Sequence, residues 1–185
     1  MGMQAVEKPE TKSLSQQWCM LLVTPGKEQH ARDSFHRYGV QAYWPNYYRP
    51  TLPLRERRRT DYRSVIPGYL FLKSVLDNQL WETIQRTKDT NHLVLNYSGS
   101  VATLKEESID VIRAIERGMN TPTPGRTLHN FKTRDKVRFV DDPSGRWPPG
   151  KIAGSLSDGR IVVEVQMMGR LVPFQVFPYL VERAG

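Results

Sequence analysis

The residues best suited to chemistry in this 185-residue chain are arginines and aromatics gathered in one segment. The fifteen residues from Arg49 to Arg63 hold six arginines against two acids, Glu56 and Asp61. The aromatic residues among or beside them are Tyr43, Trp44, Tyr47, Tyr48 and Tyr62. Guanidinium groups attract phosphate, and aromatic rings stack on bases. We therefore interpret the segment as a nucleic-acid surface, with an acidic protein face or a merely solvated loop as the alternatives.

The sequence offers no arrangement that is typical of an enzyme or a metal site. Its four histidines and single cysteine show no metal-ligand spacing. Glu106 and Glu107 fall in the first turn of a predicted helix, where acids interact well with the helix dipole. Pro67-Gly68 and the stretch 147–150 are predicted to be turns rather than phosphate-binding loops. We expect neither catalysis nor a bound cofactor or metal.

Composition and charge narrow the class of protein further. The chain carries a net charge of +8, and 38% of its residues are hydrophobic, enough for packed cores. Its longest apolar run, Trp18–Val23, is too short to span a membrane. The lone Cys19 excludes an internal disulfide and fits a reducing compartment. Residues 1–16 lack the apolar stretch of a secretory signal, so we expect a disordered tail and a cytoplasmic protein.

Local patterns predict the first elements. Gln17–Val23 has the composition of a buried strand. Thr24 suits the N-cap and Pro25 the first turn of a helix over about residues 26–38, which Gly39 would end.

Later elements follow in alternation. Strands are predicted over 40–48, 65–75 and 92–96. Asp77 is predicted to cap a short helix, Thr103 and Glu106 fit a capping box for another, and Gly118 is expected to end that helix. This order predicts an α+β fold of one sheet with helices.

The pattern changes after residues 119–130, which contain two prolines and a glycine and are predicted to be a flexible linker. Beyond them, short apolar runs alternate with turn signals, which is typical of a small β-barrel. The predicted organisation is a tail over 1–16, a first domain over 17–118, a linker over 119–130 and a barrel over 131–185.

Three motifs stand in order along the chain. They are Trp18–Gly26 with Glu28 and Ala31, then Val65–Phe71, then Phe131, Asp135, Val137, Arg138, Gly150 and Met167–Arg170. Together they resemble the NusG family of transcription elongation factors over residues 17–184. The resemblance implies an N-terminal NGN domain, with an antiparallel sheet and helices, followed by a small SH3-like KOW barrel.

The resemblance also implies partners. An apolar pocket of the NGN domain would dock on the clamp helices of RNA polymerase through Leu22, Ile66, Pro67, Tyr69 and Phe71. The gate loop of the other large subunit would be met by Trp81, Glu82 and Thr83. Holding both sides of the cleft would suppress pausing by a population shift. The alternatives are that Ile66 and Phe71 are simply core and that Trp81 packs inward.

Upstream DNA or its non-template strand is the next implied partner. The family positions correspond to Thr24, Lys27, Ser34, Arg37 and Tyr38, to which the arginine segment adds Arg57, Arg58 and Arg59. Tyr38 would stack on a base or pack in the core, and Arg37 would contact phosphate or a flipped base, or serve the helix dipole.

The C-terminal domain carries the last implied contact. Met168 and Arg170 lie where the family contacts a ribosomal protein, but the family's phenylalanine is a methionine here, which argues against a contact with Rho. Because β-branched residues and prolines disfavour helix, we expect residues 131–184 to be a barrel in the free protein. We also expect the two domains of the monomer to move independently, leaving the docking strand uncovered.

The main hypothesis is a specialised transcription factor, and two alternatives to it remain. The sequence Tyr69-Leu70-Phe71 and the arginine segment favour a specialised, operon-restricted antiterminator of the RfaH type over a general NusG-type factor. A ribosome-associated RNA-binding protein with a KOW barrel is the second alternative, but it would not need the docking strand.

Overall fold

The structure is a computed structural model that describes residues 15–49, 61–121, 130–142, 145 and 147–185. The elements before residue 121 are β1 (Gln17–Val23), α1 (Glu28–Arg37), β2 (Gln41–Tyr43), β3 (Asn46–Arg49), β4 (Asp61–Ser64), β5 (Tyr69–Ser74), α2 (Asn78–Arg86), β6 (Thr90–Leu93), β7 (Thr103–Leu104) and α3 (Glu106–Asn120). Those after residue 130 are β8 (Lys136–Phe139), β9 (Gly150–Ser155), β10 (Ile161–Met167), β11 (Arg170–Val176), a 3₁₀ turn (Pro178–Leu180) and β12 (Val181–Arg183).

Strand β1 is the centre of the N-terminal sheet. The strand order is β2-β5-β1-β6, with β7 also paired to β1, and these pairs are antiparallel. The register pairs Leu22 with Tyr69 and Met20 with Phe71. Because side chains alternate along a strand, β1 and β5 present apolar residues to both faces.

The two faces of this sheet are covered by different helices. Cys19, Leu21 and Leu72 share one buried cluster with residues of α1 and α2. Met20 and Phe71 belong to another cluster with residues of α3. A sheet covered on both faces explains why the β1 sequence is continuously apolar rather than alternating.

Strands β3 and β4 form a separate hairpin beside α3. The side chain of Asn120 accepts from the backbone N–H of Tyr48 (2.9 Å) and donates to the carbonyl of Asn46 (3.0 Å). Glu116 accepts from the N–H of Asn46 (2.9 Å). The outer edge of β3 is thus satisfied by side chains of α3 instead of another strand.

The C-terminal strands form an antiparallel sheet in the order β11-β10-β9-β8-β12, the predicted KOW-like barrel. Its core holds Phe139, Trp147 and Phe174, whose ring centroids lie 5.3 to 5.7 Å apart. Alternation along β10 buries Ile161, Val163, Val165 and Met167. The α+β fold class and the strand-rich C-terminal region are confirmed.

Several predicted boundaries are wrong. Helix α1 begins at Glu28 because Thr24–Lys27 forms a turn, in which Lys27 N–H donates to the Thr24 carbonyl and Gly26 has a φ of +85°. Thr103 lies in β7 and caps no helix, and the N-cap of α3 is Lys105. Gly118 does not end α3, which continues to Asn120. Asp77 caps α2 as predicted, accepting from the N–H of Leu80 (2.9 Å).

The buried Glu28 joins α1 to the turn before β5. This side chain is 2% exposed, and its carboxylate accepts from the backbone N–H of Gly68 at 2.8 Å. Gly68 has a φ of +83°, a conformation that side-chain-bearing residues rarely adopt. The carboxylate of Glu28 therefore fixes the Pro67-Gly68 turn through a buried hydrogen bond.

We expect Glu28→Ala to lower the free energy of unfolding by about 1–3 kcal/mol, because the buried N–H of Gly68 loses its acceptor. Urea denaturation followed by tryptophan fluorescence measures the loss. The control is Gln29→Ala, one residue along and exposed, for which the change should stay within about 0.5 kcal/mol. Equal stability of both variants would contradict the role of Glu28.

Glu106 anchors the start of α3 to the sheet. It accepts from Trp18 Nε1 (2.7 Å), Lys73 Nζ (2.9 Å) and Arg113 Nη1 (3.0 Å). The hydrogen bonds from Lys73 and then Trp18 lower the pKa of Glu106 to about 2. A carboxyl with a depressed folded-state pKa stabilises the protein above its unfolded pKa and loses that contribution as pH falls towards 2.

We expect Glu106→Gln to flatten the decline of the melting temperature between about pH 5 and pH 2. At neutral pH the variant should lose less than about 1 kcal/mol, because the side chain is 44% exposed and solvent screens its ion pairs. Thermal melts across this pH range test it. A variant whose acid sensitivity matches the wild type would show that Glu106 is not the responsible group.

Candidate functional site

The predicted clamp-docking residues lie together at one end of β1 and β5. Leu22 and Tyr69 are cross-strand partners, and Ile66 and Pro67 occupy the turn just before β5. Ile66 and Phe71 are 0% exposed and Tyr69 is 8% exposed, whereas Leu22 and Pro67 are partly exposed. Phe71 pairs with Met20, and its ring centroid lies 6.1 Å from that of Tyr43. Phe71 is therefore a core residue, and Ile66 is equally buried, in a cluster that also includes barrel residues.

The C-terminal barrel packs beside this group. The N–H of Gln175 donates to the carbonyl of Val65 at 2.8 Å, directly before Ile66. The ring of Phe177 lies edge-on to that of Tyr47, with centroids 6.3 Å apart. Ile66 and Tyr69 share one continuous apolar cluster with barrel residues. The expectation of an uncovered docking strand is thus wrong, and the two domains, which were expected to move independently, are in contact in this structure.

A second contact joins the barrel to the end of α3. The hydroxyl of Tyr179 donates to the carbonyl of Gly118 at 3.1 Å. A Cβ atom on Gly118 would lie 2.5 Å from Leu180 Cδ2. Glycine at this helical position therefore allows the 3₁₀ turn to approach closely, which explains a glycine inside α3 that the sequence suggested as a helix end.

Charged groups border the contact made by Gln175 and Phe177 with the N-terminal unit. Arg160 is 8% exposed, bonds to Asp158 (2.8 Å) and the side chain of Gln175 (2.8 Å), and lies 5.2 Å from the ring centroid of Tyr47. Arg49 reaches Asp158 at 3.5 Å across the contact. Hydrogen bonding from Arg160 lowers the pKa of Asp158, and burial raises the pKa of Tyr47. The cation of Arg160 is thus held against an aromatic ring of the N-terminal unit.

The predicted partner-binding turn of the barrel, at Met168 and Gly169, contacts Tyr97 of the N-terminal unit. Met168 and Gly169 have φ values of +50° and +82°, which turn β10 sharply into β11. A Cβ atom on Gly169 would lie 2.9 Å from the ring of Tyr97, and Gln166 Nε2 donates to the hydroxyl of Tyr97 at 3.3 Å. Met168 and Arg170 are both partly exposed beside this contact.

The predicted gate-loop residues lie on the outer side of α2. Trp81 is 40% exposed, so the alternative of inward packing is wrong, and Leu80 and Ile84 are the buried residues of this helix. Glu82 pairs with Arg86 at 3.4 Å, and Thr83 Oγ1 donates to the Gln79 carbonyl.

The predicted DNA-contacting residues of the first helix do not share one environment. Lys27, Arg37 and Tyr38 are exposed, and so is Thr24. Tyr38 is 53% exposed and therefore does not pack in the core. Ser34 is buried, donates to the His30 carbonyl and accepts from Arg37 Nη2. Arg57, Arg58 and Arg59 lie outside the described residues.

Sequence reasoning missed the residues of the barrel contact. They are Tyr97, Asp158, Arg160, Phe177 and Tyr179, together with Tyr47, which the sequence assigned to a nucleic-acid surface and which is 2% exposed against the barrel. The one signal available was Phe177-Pro178-Tyr179, an aromatic cluster next to the last strand of a barrel already filled by other rings. Over the described residues, no cluster of potential metal ligands occurs, and no helix is long and apolar enough to cross a membrane.

Comparisons with known proteins agree with this fold. The structure is similar to one titled "Domain interaction in Thermotoga maritima NusG", with a TM-score of 0.54 and 17% identity over 92% of this chain and 98% of that one. Two crystal structures of the MjSpt4:Spt5 complex, conformations B and A, were also found, with a TM-score of 0.33 each, at 13% and 12% identity. Each covers 91% of this chain and 97% or 98% of the other. No curated protein matches the chain.

The sequence itself matches a known family in its N-terminal half. Residues 16–113 match the family described as "NusG: Transcription termination factor nusG", more than half of the chain. The match covers β1 to the middle of α3, which includes the turn at Pro67-Gly68 and all the predicted clamp-docking and gate-loop residues. The chain belongs to the NusG family of transcription factors.

Proposed function

We propose that this NusG-family protein is an elongation or antitermination factor that binds RNA polymerase through Leu22, Ile66, Pro67 and Tyr69, with Phe71 as their support. The observation that carries the proposal is an apolar turn, Ile66-Pro67, held rigidly by Glu28 and placed where a second body already packs. A surface that buries aromatic and aliphatic groups against one protein surface has the chemistry to bury them against another.

The barrel contact makes polymerase binding conditional. Val65, Ile66 and Tyr69 lie in or beside the contact with the barrel, so docking on the polymerase clamp helices requires the barrel to move away. The affinity of the free chain is then reduced by the fraction of molecules that are open. Such a device suits a factor whose recruitment is regulated, as we propose for a specialised, operon-restricted paralogue.

We assign the remaining partners to the residues that the family resemblance implies. Trp81, Glu82 and Thr83 would meet the gate loop from the outer side of α2, and Lys27, Arg37 and Tyr38 would face upstream DNA. Met168 and Arg170 would contact a ribosomal protein once the turn leaves Tyr97. No chemical step is involved, so the protein acts by binding alone.

We expect Phe177→Ser to open the contact, because its ring packs on Tyr47 and stacks on Tyr179 with centroids 5.6 Å apart. Losing that packing should weaken the closed form by about 1–3 kcal/mol. ¹⁵N relaxation on the full chain should then give shorter rotational correlation times for β8–β12. The control is Leu171→Ser, exposed on β11, which should tumble as the wild type does. Unchanged tumbling of a folded Phe177→Ser variant would refute the closed form.

Polymerase binding is tested with the same variants. We expect Phe177→Ser to bind core RNA polymerase at least about fivefold more tightly than the wild type, since less binding energy is spent on opening. Adding Tyr69→Ser should remove that binding, whereas adding Tyr69→Phe should retain most of it. Biolayer interferometry on immobilised polymerase measures these affinities. Binding that survives Tyr69→Ser in a folded chain would reject this docking face.

A further inference from the structure

A polar cleft of about 390 Å³ lies where the N-terminal unit meets the barrel. All four residues of β4, from Asp61 to Ser64, line it on one side, and Arg160 and Gln175 line it on the other. The cleft reaches Pro67, beside the buried carboxylate of Glu28. Its volume falls within the range of small-molecule sites. Nothing in the function proposed above uses this cleft.

Arginines from both units line the cleft. Arg49 comes from β3, Arg63 from β4 and Arg160 from the barrel. Tyr47 and Arg63 are cross-strand partners, and Arg49 follows two residues after Tyr47, so these side chains share one face of the hairpin. Arg160 lies 5.2 Å from the ring centroid of Tyr47, which shows that this face meets the barrel. The planar donor sets of arginines match the oxygens of a phosphate group.

The carboxylates at this end of the cleft satisfy the arginines only in part. Arg49 and Arg160 share one acid, Asp158, at 3.5 and 2.8 Å. Arg63 pairs with Asp61 at 2.6 Å. A guanidinium has five N–H donors, but among the described residues Arg49 and Arg63 each contact a carboxylate through one nitrogen. Donors of both arginines therefore remain for a ligand.

Two buried polar groups in the walls of the cleft lack a partner. Trp44 is 5% exposed, and its Nε1 makes no hydrogen bond within the part of the chain that the structure describes. The hydroxyl of Ser64 is buried without a partner in the same way. Both residues line the cleft. Because buried polar groups are nearly always hydrogen-bonded, these two donors indicate a place for acceptor atoms of a ligand.

We propose that the cleft binds the phosphate group of a small molecule, with Arg49, Arg63 and Arg160 at its oxygens and Trp44 and Ser64 as further donors. A ligand held by both units stabilises the closed arrangement in proportion to its binding. Inorganic phosphate and a phosphate monoester share this chemistry, and the test separates them. The alternative is that the arginines serve only the ion pairs of the contact between the units.

The test is an NMR titration of the full chain with inorganic phosphate at constant ionic strength. The chain has four tryptophans, whose indole N–H signals are assigned from wild-type spectra. We expect the signal of Trp44 to shift in a saturable manner, together with signals of Arg63 and Arg160. The indole of Trp18, which donates to Glu106 at 2.7 Å, should not respond.

Two further ligands identify the source of the phosphate group. Adenosine 5′-monophosphate should shift the same signals as inorganic phosphate, and adenosine should not. Tighter binding of the monophosphate than of inorganic phosphate would support an ester as the ligand, and the reverse order would support the free ion. A response to adenosine equal to that of its monophosphate would contradict recognition of phosphate.

Matched variants separate the cleft from a general attraction of this basic chain for anions. We expect Arg63→Gln to bind phosphate about tenfold more weakly, because a charge-assisted hydrogen bond is lost. The control is Arg138→Gln, since Arg138 is an exposed arginine of β8 that pairs with Glu182 at 2.7 Å outside the cleft. Its affinity should stay within about twofold of the wild type.

Three results would overturn the proposal. They are a Trp44 signal that does not respond to phosphate, an equal response to chloride, and equal phosphate affinities of the two arginine variants. Shifts confined to the N-terminal unit, with none at Arg160, would overturn the assignment of the site to both units. The wild-type titration stands even if Arg63→Gln does not fold. Because polymerase is absent from these measurements, their outcome is independent of the docking face.

Discussion

The position of β1 is the constraint on which the rest of the N-terminal unit depends. This strand pairs with β5 on one edge and with β6 and β7 on the other, and helices bury both of its faces. Its register fixes Leu22 opposite Tyr69 and so sets where β5 begins. The turn that precedes β5 must therefore lie at the end of the sheet marked by Leu22 and Tyr69. There the carboxylate of Glu28 accepts a hydrogen bond from the N–H of Gly68.

The same turn is the point at which the two parts of the molecule meet. The carbonyl of Val65 accepts from the N–H of Gln175, just after β4 ends at Ser64. Tyr47, Phe177 and the cation of Arg160 then fill the space around that bond. Over the described residues, the contact has one backbone hydrogen bond between the two parts, a few rings and the ion pairs of Asp158. A contact of this kind opens at modest cost. This is what a competing polymerase surface would require.

Local sequence patterns were sufficient for much of the fold. The apolar run of β1, the alternation in β10 and the carboxylate of Asp77 each act within a few residues, so their effects can be predicted without knowing the rest of the chain. Thr24-Pro25 has the composition of a helix start, but the turn at Gly26 displaces the first helical residue to Glu28. The contact of Gly118 with Leu180 overrides the tendency of glycine to end a helix.

The site was only partly predictable, for a different reason. The residues at β1, β5 and their turn could be assigned by resemblance, and the structure places them together. The exposure of Trp81 depends on which face of α2 meets the sheet, which Leu80 and Ile84 settle. The contact with the barrel joins aromatic residues more than one hundred positions apart, such as Tyr47 and Phe177. No periodicity in the sequence predicts such a pair.

The order of elements along the chain has a consequence for protein synthesis. The whole N-terminal unit, through α3, is synthesised before Gln175, Phe177 and Tyr179. Domains generally fold as units with the N-terminal one first. Barrel completion must also wait for β12 to reach β8, since Arg183 pairs with Val137. A nascent chain therefore passes through a period in which the turn at Ile66-Pro67 has folded and the barrel does not yet cover it.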